Sequence, residues 1–482
     1  MSLCTPSKRP CAYIGMLVSC QSRSSLSISP GCLLVDEHGT ISHVINGQVE
    51  TEKIEQAIEE FGWEVGETNI HRAAANEFFF PGFIDTHIHA SQFPNCGLFG
   101  QSTLLEWLEK YTYPLESSLA DLNKARKVYE TCVSSTISHG TTTAAYYATT
   151  HVKSTSLLAS ICKAKGQRAL IGRVCMDHPS TLVEYYRDSN VETSETDTLA
   201  VVEHIKSLDS SGLHLAPILT PRSAASCTPE QLFMLRDLSV SSSPPLRVQT
   251  HLSENLSEID LVKELWPSHK NYTDIYDSHG LLTPSTILAH AVHLDQAERD
   301  LIALRGAKVS HCPVSNSGLG SGTCQVRGLL DDGICVGLGS DVSGGYSCSI
   351  LEAARHACLV SRLAAAEAQA IQGEVQEGAG SGHDRIKLKV EEVLWMASRG
   401  GAEVVGWQDR LGAFEVGMQF DAQLVSFDLL TPGFESQSTR DLGNFKVFGW
   451  ESWEDRIAKW VYCGDDRNTV KVWVDGDVIH VR

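Results

Sequence analysis

Between Thr141 and Asp341 the chain alternates short apolar or β-branched runs with amphipathic helical segments, a rhythm that predicts parallel strands joined by crossover helices. Counted from Phe78, the candidate strands are FFFPGFIDTH, TTTAAYYA, RALIGRVCM, LHLAPILT, LRVQTH, TILAH, AKVSHCP and CVGLGSD. That makes eight, the number that closes a barrel of this kind. The chain ends follow a different pattern. The first eighty residues lack long helical periodicity, and DEHGTISHV puts a hairpin turn at His38 and Gly39 between apolar segments. FDAQLVSFDL begins at Phe420, and TVKVWVDGDVI from Thr469 alternates apolar and polar positions around a turn at Asp475 and Gly476.

The expected fold is therefore α/β: a (β/α)8 TIM-type barrel over residues 81–411, with a small β-sandwich domain built from both chain ends, residues 1–80 and 412–482. Lys8 and Arg9 precede the short apolar run Ala12–Val18, which superficially resembles a signal peptide. It is too short to span a bilayer and lacks a clear small-residue cleavage site, so it reads as a first strand. Gln369–Asp384 is acidic and rich in Gly and Ser, the composition of a mobile surface loop.

Composition narrows the function. The 482 residues carry 42% hydrophobic and 20% charged side chains, enough to bury a large core. A net charge of -20 opposes nucleic-acid polymers and anionic membranes, and leaves a small neutral substrate compatible. The 15 cysteines are odd in number and contain no C-x-x-C pair, so buried, reduced thiols in the cytosol are expected. No stretch is long enough to cross a membrane, so a soluble, cytoplasmic protein is expected.

The chemistry is concentrated where strands end. His87 and His89 lie two apart in FIDTHIH, so both rings point to the same side of an extended strand. His251 closes LRVQTH, His290 closes TILAH and Asp341 closes CVGLGSD. In a barrel of this kind the C-terminal strand ends converge, which turns distance in sequence into proximity. Three imidazoles and one carboxylate, from His87, His89, His251 and Asp341, suit one Zn²⁺ per subunit with a position left for water. Iron or manganese would accept the same ligands. Glu254, three residues beyond His251, is the candidate proton shuttle; His290 would stabilise the hydroxide, and Asp341 would also accept a proton. Taken singly, Glu254 reads better as a helix-start carboxylate and His290 as a core histidine; together with the ligand set the catalytic reading prevails. His311 and Cys312 in HCPVSN are expected to pack or to hydrogen-bond behind the metal.

PGFIDTHIHASQ, LLEWLEKYTYPLE, HGTTTAAYYAT, TPRSAASC, THLSEN, IYDSHGLL, HCPVSN, GLGSDVSGGYS and GDDRN together resemble the amidohydrolase superfamily, and within it the guanine-deaminating members. The resemblance implies hydrolysis of guanine to xanthine and ammonia by attack of metal-bound hydroxide on C2, in purine catabolism or salvage, and a homodimer. It also implies one metal, since LHLAPILTPR has no lysine to bridge a second. His89, Gln92, Arg222, Ser223, His251, Glu254 and Asp341 are the implied substrate contacts, with Gln92 and Arg222 reading the purine edge. Ser223 stands where the family commonly has Phe, and nearby Phe93 or Phe99 could supply the missing aromatic wall. The helical stripe Leu104, Trp107, Leu108 and Tyr111 would pack and cover the pocket.

Overall fold

The computed structural model describes residues 9–48, 50–372, 382–431 and 441–482. The chain opens with β1 (Cys11–Ser22), β2 (Ser25–Val35) and β3 (Ile41–Asn46), an antiparallel meander. The turn after β2 is held by Asp36, whose Oδ1 accepts the backbone N–H groups of His38 and Thr40, with Gly39 in the left-handed region. The run after Lys8 and Arg9 is thus a strand. After β4 (Asn69–Arg72), β5 (Glu77–Pro81) ends the N-terminal contribution to this sheet.

The barrel comes next: β6 (Phe83–His89), β7 (Thr141–Tyr147), β8 (Arg168–Gly172), the short β9 (Val174–Cys175), β10 (Leu215–Pro221), β11 (Arg247–Leu252), β12 (Thr286–His290), β13 (Lys308–His311) and β14 (Val336–Leu338). They pair in parallel in the order β14-β13-β12-β11-β10-β8-β7-β6, with β9 on β10, so each of the eight expected strands is present. Strands buried on both faces read as continuous apolar runs, and β7 and β10 are buried at every position. Between β14 and β6 the circle is drawn shut by Thr86 Oγ1 donating to the Leu338 carbonyl at 2.9 Å, and by the Asp341 N–H donating to the His87 carbonyl at 2.9 Å. Gly339 permits that approach: a Cβ there would lie 2.8 Å from Cys312 Sγ and 2.9 Å from the His87 Cβ.

The chain returns to the first sheet with β15 (Ala422–Ser426), pairs β16 (Asp428–Leu429) with β17 (Lys446–Val447), and ends on the hairpin β18 (Thr469–Val474) and β19 (Asp477–Val481). Its turn has both Asp475 and Gly476 at positive φ, as a tight two-residue hairpin requires. Antiparallel pairing of β5 with β15 joins the two chain ends in one eight-stranded sheet. Successive residues of β1 face opposite ways. Ala12 packs under α1 (Thr51–Glu60) with Ile54 and Ile58, while Tyr13 stacks on Phe420 at 3.9 Å beside Phe79 and Trp473.

The segment Gln369–Asp384 differs from expectation at its edges. Gln369–Gln372 finish the helix Ile350–Gln372, Gly382–Ile386 form a 3-10 turn, and residues 373–381 lie outside the described residues. No helix among the described residues is long and apolar enough to cross a membrane.

Candidate active site

β6 presents His87 and His89 on one side, as alternate strand residues must. β11 brings His251, β12 ends on His290, and Asp341 enters from the turn beyond β14. That turn and its neighbours are held in an uncommon backbone conformation. Ser253, His290, Ala291 and Asp341 all have φ between 44° and 71°, a region non-glycine residues rarely occupy. Four such residues at one barrel mouth mark a place where side-chain direction outweighs local backbone preference, at an order of 1–3 kcal/mol each.

His87, His89, His251 and Asp341 are all buried, and their ligand atoms lie within 4.8 Å of one another. Asp341 Oδ1 is 3.1 Å from His87 Nε2 and 3.3 Å from His89 Nε2, and the Nε2 atoms of His89 and His251 are 3.2 Å apart. Ligands at 2.0–2.1 Å in a tetrahedral shell around zinc sit about 3.4 Å from one another, so these donors fit a single ion of that size. Burial lowers the pKa of each of the three histidines and keeps the rings neutral, with lone pairs to offer. Burial works the other way on Asp341, but His87, His290 and His89 outweigh it and hold the carboxyl far below its ordinary value. His251 Nδ1 sits 2.6 Å from the Arg222 carbonyl and donates to it, which fixes the tautomer and turns Nε2 inward.

Behind this cluster lies Asp85, fully buried and pushed up to about 7 by burial. It accepts from the backbone N–H of His87 at 3.2 Å, and from the N–H and hydroxyl of Ser340 at 3.0 and 2.5 Å. It ties β6 to the turn carrying Asp341. Asn316 supports the other flank, its Oδ1 3.0 Å from His290 Nδ1. His290 Nε2 then faces Glu254 Oε2 at 3.4 Å and Asp341 Oδ2 at 3.8 Å. Burial opposes charge on His290, but those two carboxylates prevail and raise its pKa. Glu254 is pushed up to about 7, by burial first and then by Asp341 and Glu258, against the pull of His290. A carboxyl poised there can take and return a proton near neutrality.

The second half of the site is a cavity wall of apolar and hydrogen-bonding side chains. One cavity is lined by His89, His251, Glu254 and Asp341 on its polar wall, by Gln92, Arg222 and Ser223, and by Leu104, Trp107, Leu108, Tyr113 and Leu182. Trp107 does line it, anchored by Nε1 donating to the Leu98 carbonyl at 2.9 Å. Neither Phe93 nor Phe99 does: Phe93 packs into the core beside β6 and β7, and Phe99 against Leu104, Trp107 and Leu319. The aromatic rings on the cavity wall are those of Trp107 and Tyr113, not the expected Phe93 or Phe99, and the Tyr113 ring lies 5.4 Å from the Arg222 guanidinium. Ser223 itself is engaged with Ser226, its N–H donating to Ser226 Oγ at 3.0 Å.

His311 and Cys312 stand back from the cluster. Both are buried and neither lines the cavity, and burial keeps the Cys312 thiol protonated. Cys11 aside, the described cysteines are free. Glu116 is the residue sequence reasoning passed over. It is wholly buried and accepts from Gln92 Nε2 at 2.9 Å, Arg222 Nη1 at 2.8 Å and Ser91 Oγ at 3.3 Å. Its only signal was its position in LLEWLEKYTYPLE.

Residues 78–479 match the model of the amidohydrolase family. A probable guanine deaminase of Schizosaccharomyces pombe is 45% identical over 413 residues, covering 86% of this chain and 73% of that protein. The guanine deaminase of Dictyostelium discoideum is 37% identical over 97% of both chains. Among solved structures, the guanine deaminase of C. acetobutylicum with guanine bound in its active site superposes with a TM-score of 0.82 at 31% identity, over 98% of this chain and 100% of that one.

Proposed function

The chain belongs to the amidohydrolase family, and from that premise we propose that it hydrolyses guanine to xanthine and ammonia, by addition of water at C2. The observation carrying this reading is the joint lining of one cavity by the His/Asp cluster with Glu254 and by the Gln92–Arg222 pair. Chemistry and recognition share one small space. The names of the similar proteins support the choice of guanine.

His87, His89, His251 and Asp341 would hold one zinc ion. When bound, zinc supplies the Lewis acidity that lowers the pKa of a coordinated water from 15.7 to about 7. The chain's own residues do the rest. Glu254 takes one proton from the attacking water and delivers it to a ring nitrogen; the second, from the hydroxyl added at C2, passes to the amine as C2=O forms and the C2–N bond breaks, releasing ammonia. His290 donates toward the developing negative charge, oriented by Asn316. Asp341 serves as ligand and as a second proton acceptor. Arg222 can only donate, so it meets carbonyl or ring-nitrogen acceptors of the base, while Gln92 offers both a donor and an acceptor. Trp107 and Leu108 close the cavity against bulk water. Ser223 is a lesser contact.

The free thiols among the described residues, Cys11 aside, fit a reducing compartment, and we assign the protein to the cytosol, in purine catabolism or salvage. A homodimer is proposed on family resemblance alone. The test compares ammonia release from guanine, adenine, cytosine and a triazine. Turnover of guanine with xanthine as product is the expected result, and activity confined to another ring would overturn the assignment.

A further inference from the structure

Glu116 takes no part in the proton transfers and does not line the cavity, yet it touches both residues that would read the base. A carboxylate only accepts hydrogen bonds. The Gln92 end facing Glu116 must therefore be its NH2, and its carbonyl must face Ser343, whose N–H and hydroxyl point at Oε1 from 3.3 and 3.4 Å. Both ends of the amide are specified, so its two orientations are not equivalent. The same carboxylate takes Arg222 Nη1, which leaves the remaining guanidinium donors for a ligand.

This matters because guanine and its 6-amino analogue present opposite patterns. Guanine has an acceptor at O6 beside a donor at N1, whereas 2,6-diaminopurine has a donor at C6 beside an acceptor at N1. Both carry the 2-amino group that the reaction removes. A flipped Gln92 exchanges its donor and acceptor and so favours the wrong base.

We infer that Glu116 is a positioning residue for substrate selection: it locks the Gln92 amide and the Arg222 fork in the single arrangement that accepts a 6-oxo, 2-aminopurine and rejects its 6-amino counterpart. The inference rests on guanine being the substrate. It goes further in placing selectivity on a residue that never meets the base.

The test measures ammonia release from guanine and from 2,6-diaminopurine by the metal-loaded protein and by Glu116→Gln and Glu116→Asp. In Glu116→Gln a neutral amide that both donates and accepts replaces the acceptor, and Gln92 is released. The preference for guanine should fall about 10²-fold, part of the factor of about 10⁴ that a matched hydrogen-bonding site can deliver. KM for guanine should rise about tenfold while kcat stays within about threefold and metal content is unchanged, the split expected when binding and not chemistry is lost. Glu116→Asp keeps the charge beside Arg222 and carries the test if the amide variant fails to fold. Being one methylene shorter, it should show an intermediate loss of preference. Undiminished selectivity in both variants, or a fall in kcat alone, would overturn the inference. Guanine turnover by the unaltered protein is the control: its absence would instead defeat the assignment of guanine as substrate.

Discussion

The two ends of the barrel handle buried charge in opposite ways. At the N-terminal end, Arg168 opens β8 in full burial and is surrounded by partners: Asp421 at 2.7 and 3.2 Å, the Leu213 carbonyl at 2.6 Å, and Asp475 from the terminal hairpin. Arg168 meets its counter-charges, Asp421 and Asp475, within the chain, and the network joins the small sheet to the barrel. At the C-terminal mouth, three neutral imidazoles and a carboxylate crowd to within 4.8 Å, four non-glycine residues hold left-handed backbone, and Nε2 of both His87 and His290 is buried without a hydrogen bond. One end spends its polar groups on itself. The other keeps them for something outside the chain, which distinguishes a structural ion network from a site.

If that contrast is right, damage at the mouth should cost turnover and damage at the seam should cost stability. The largest effect on turnover belongs to the ligand set. Asp341→Asn or His251→Ala should abolish ammonia release from guanine together with bound metal, while circular dichroism still reports a folded barrel. Glu254→Gln comes second, expected to lower kcat by about 10²–10⁴ with metal content intact. A metal-loaded variant with unimpaired deamination would contradict the proton relay and leave the barrel as a scaffold. Asn316→Ala should cost about 10–100-fold, as for other side chains that orient active-site histidines from behind. The smallest effect on turnover is expected at the seam. Arg168→Met strands Asp421 and should destabilise the fold by about 3–5 kcal/mol in denaturant titration, yet leave turnover per folded molecule unchanged. A seam variant that lost activity without losing stability would dissolve the contrast.

How far these features were legible in the sequence depended on how local their cause is. FIDTHIH declares itself, because the two-residue strand repeat puts both histidines on one face without help from the rest of the fold. His251, His290 and Asp341 were legible as strand endings, since the barrel supplies their proximity. Glu116 was not, and the reason lies in one turn. The stripe Leu104, Trp107, Leu108, Tyr111 extrapolates at helical spacing to Leu115. Beyond Leu104–Trp107, however, the chain makes a π turn over Leu108–Thr112, which takes up an extra residue and rotates the next turn of helix. Tyr113 and Glu116 are then buried, and Leu115 is turned partly outward. A phase shift of one residue hid the carboxylate that organises Gln92 and Arg222. The same turn delivers Tyr113 to the pocket wall in place of Phe93 or Phe99. Asn316 was similarly passed over within HCPVSN, because its partner His290 comes from a different strand.

The most direct test of a metal-dependent guanine-deaminating site is a titration of the chelator-stripped protein with Zn²⁺ while ammonia release from guanine is monitored. Such a site predicts no turnover in the stripped chain and recovery that saturates at one ion per chain. Full activity without metal, or no ammonia from guanine at any loading, would contradict it.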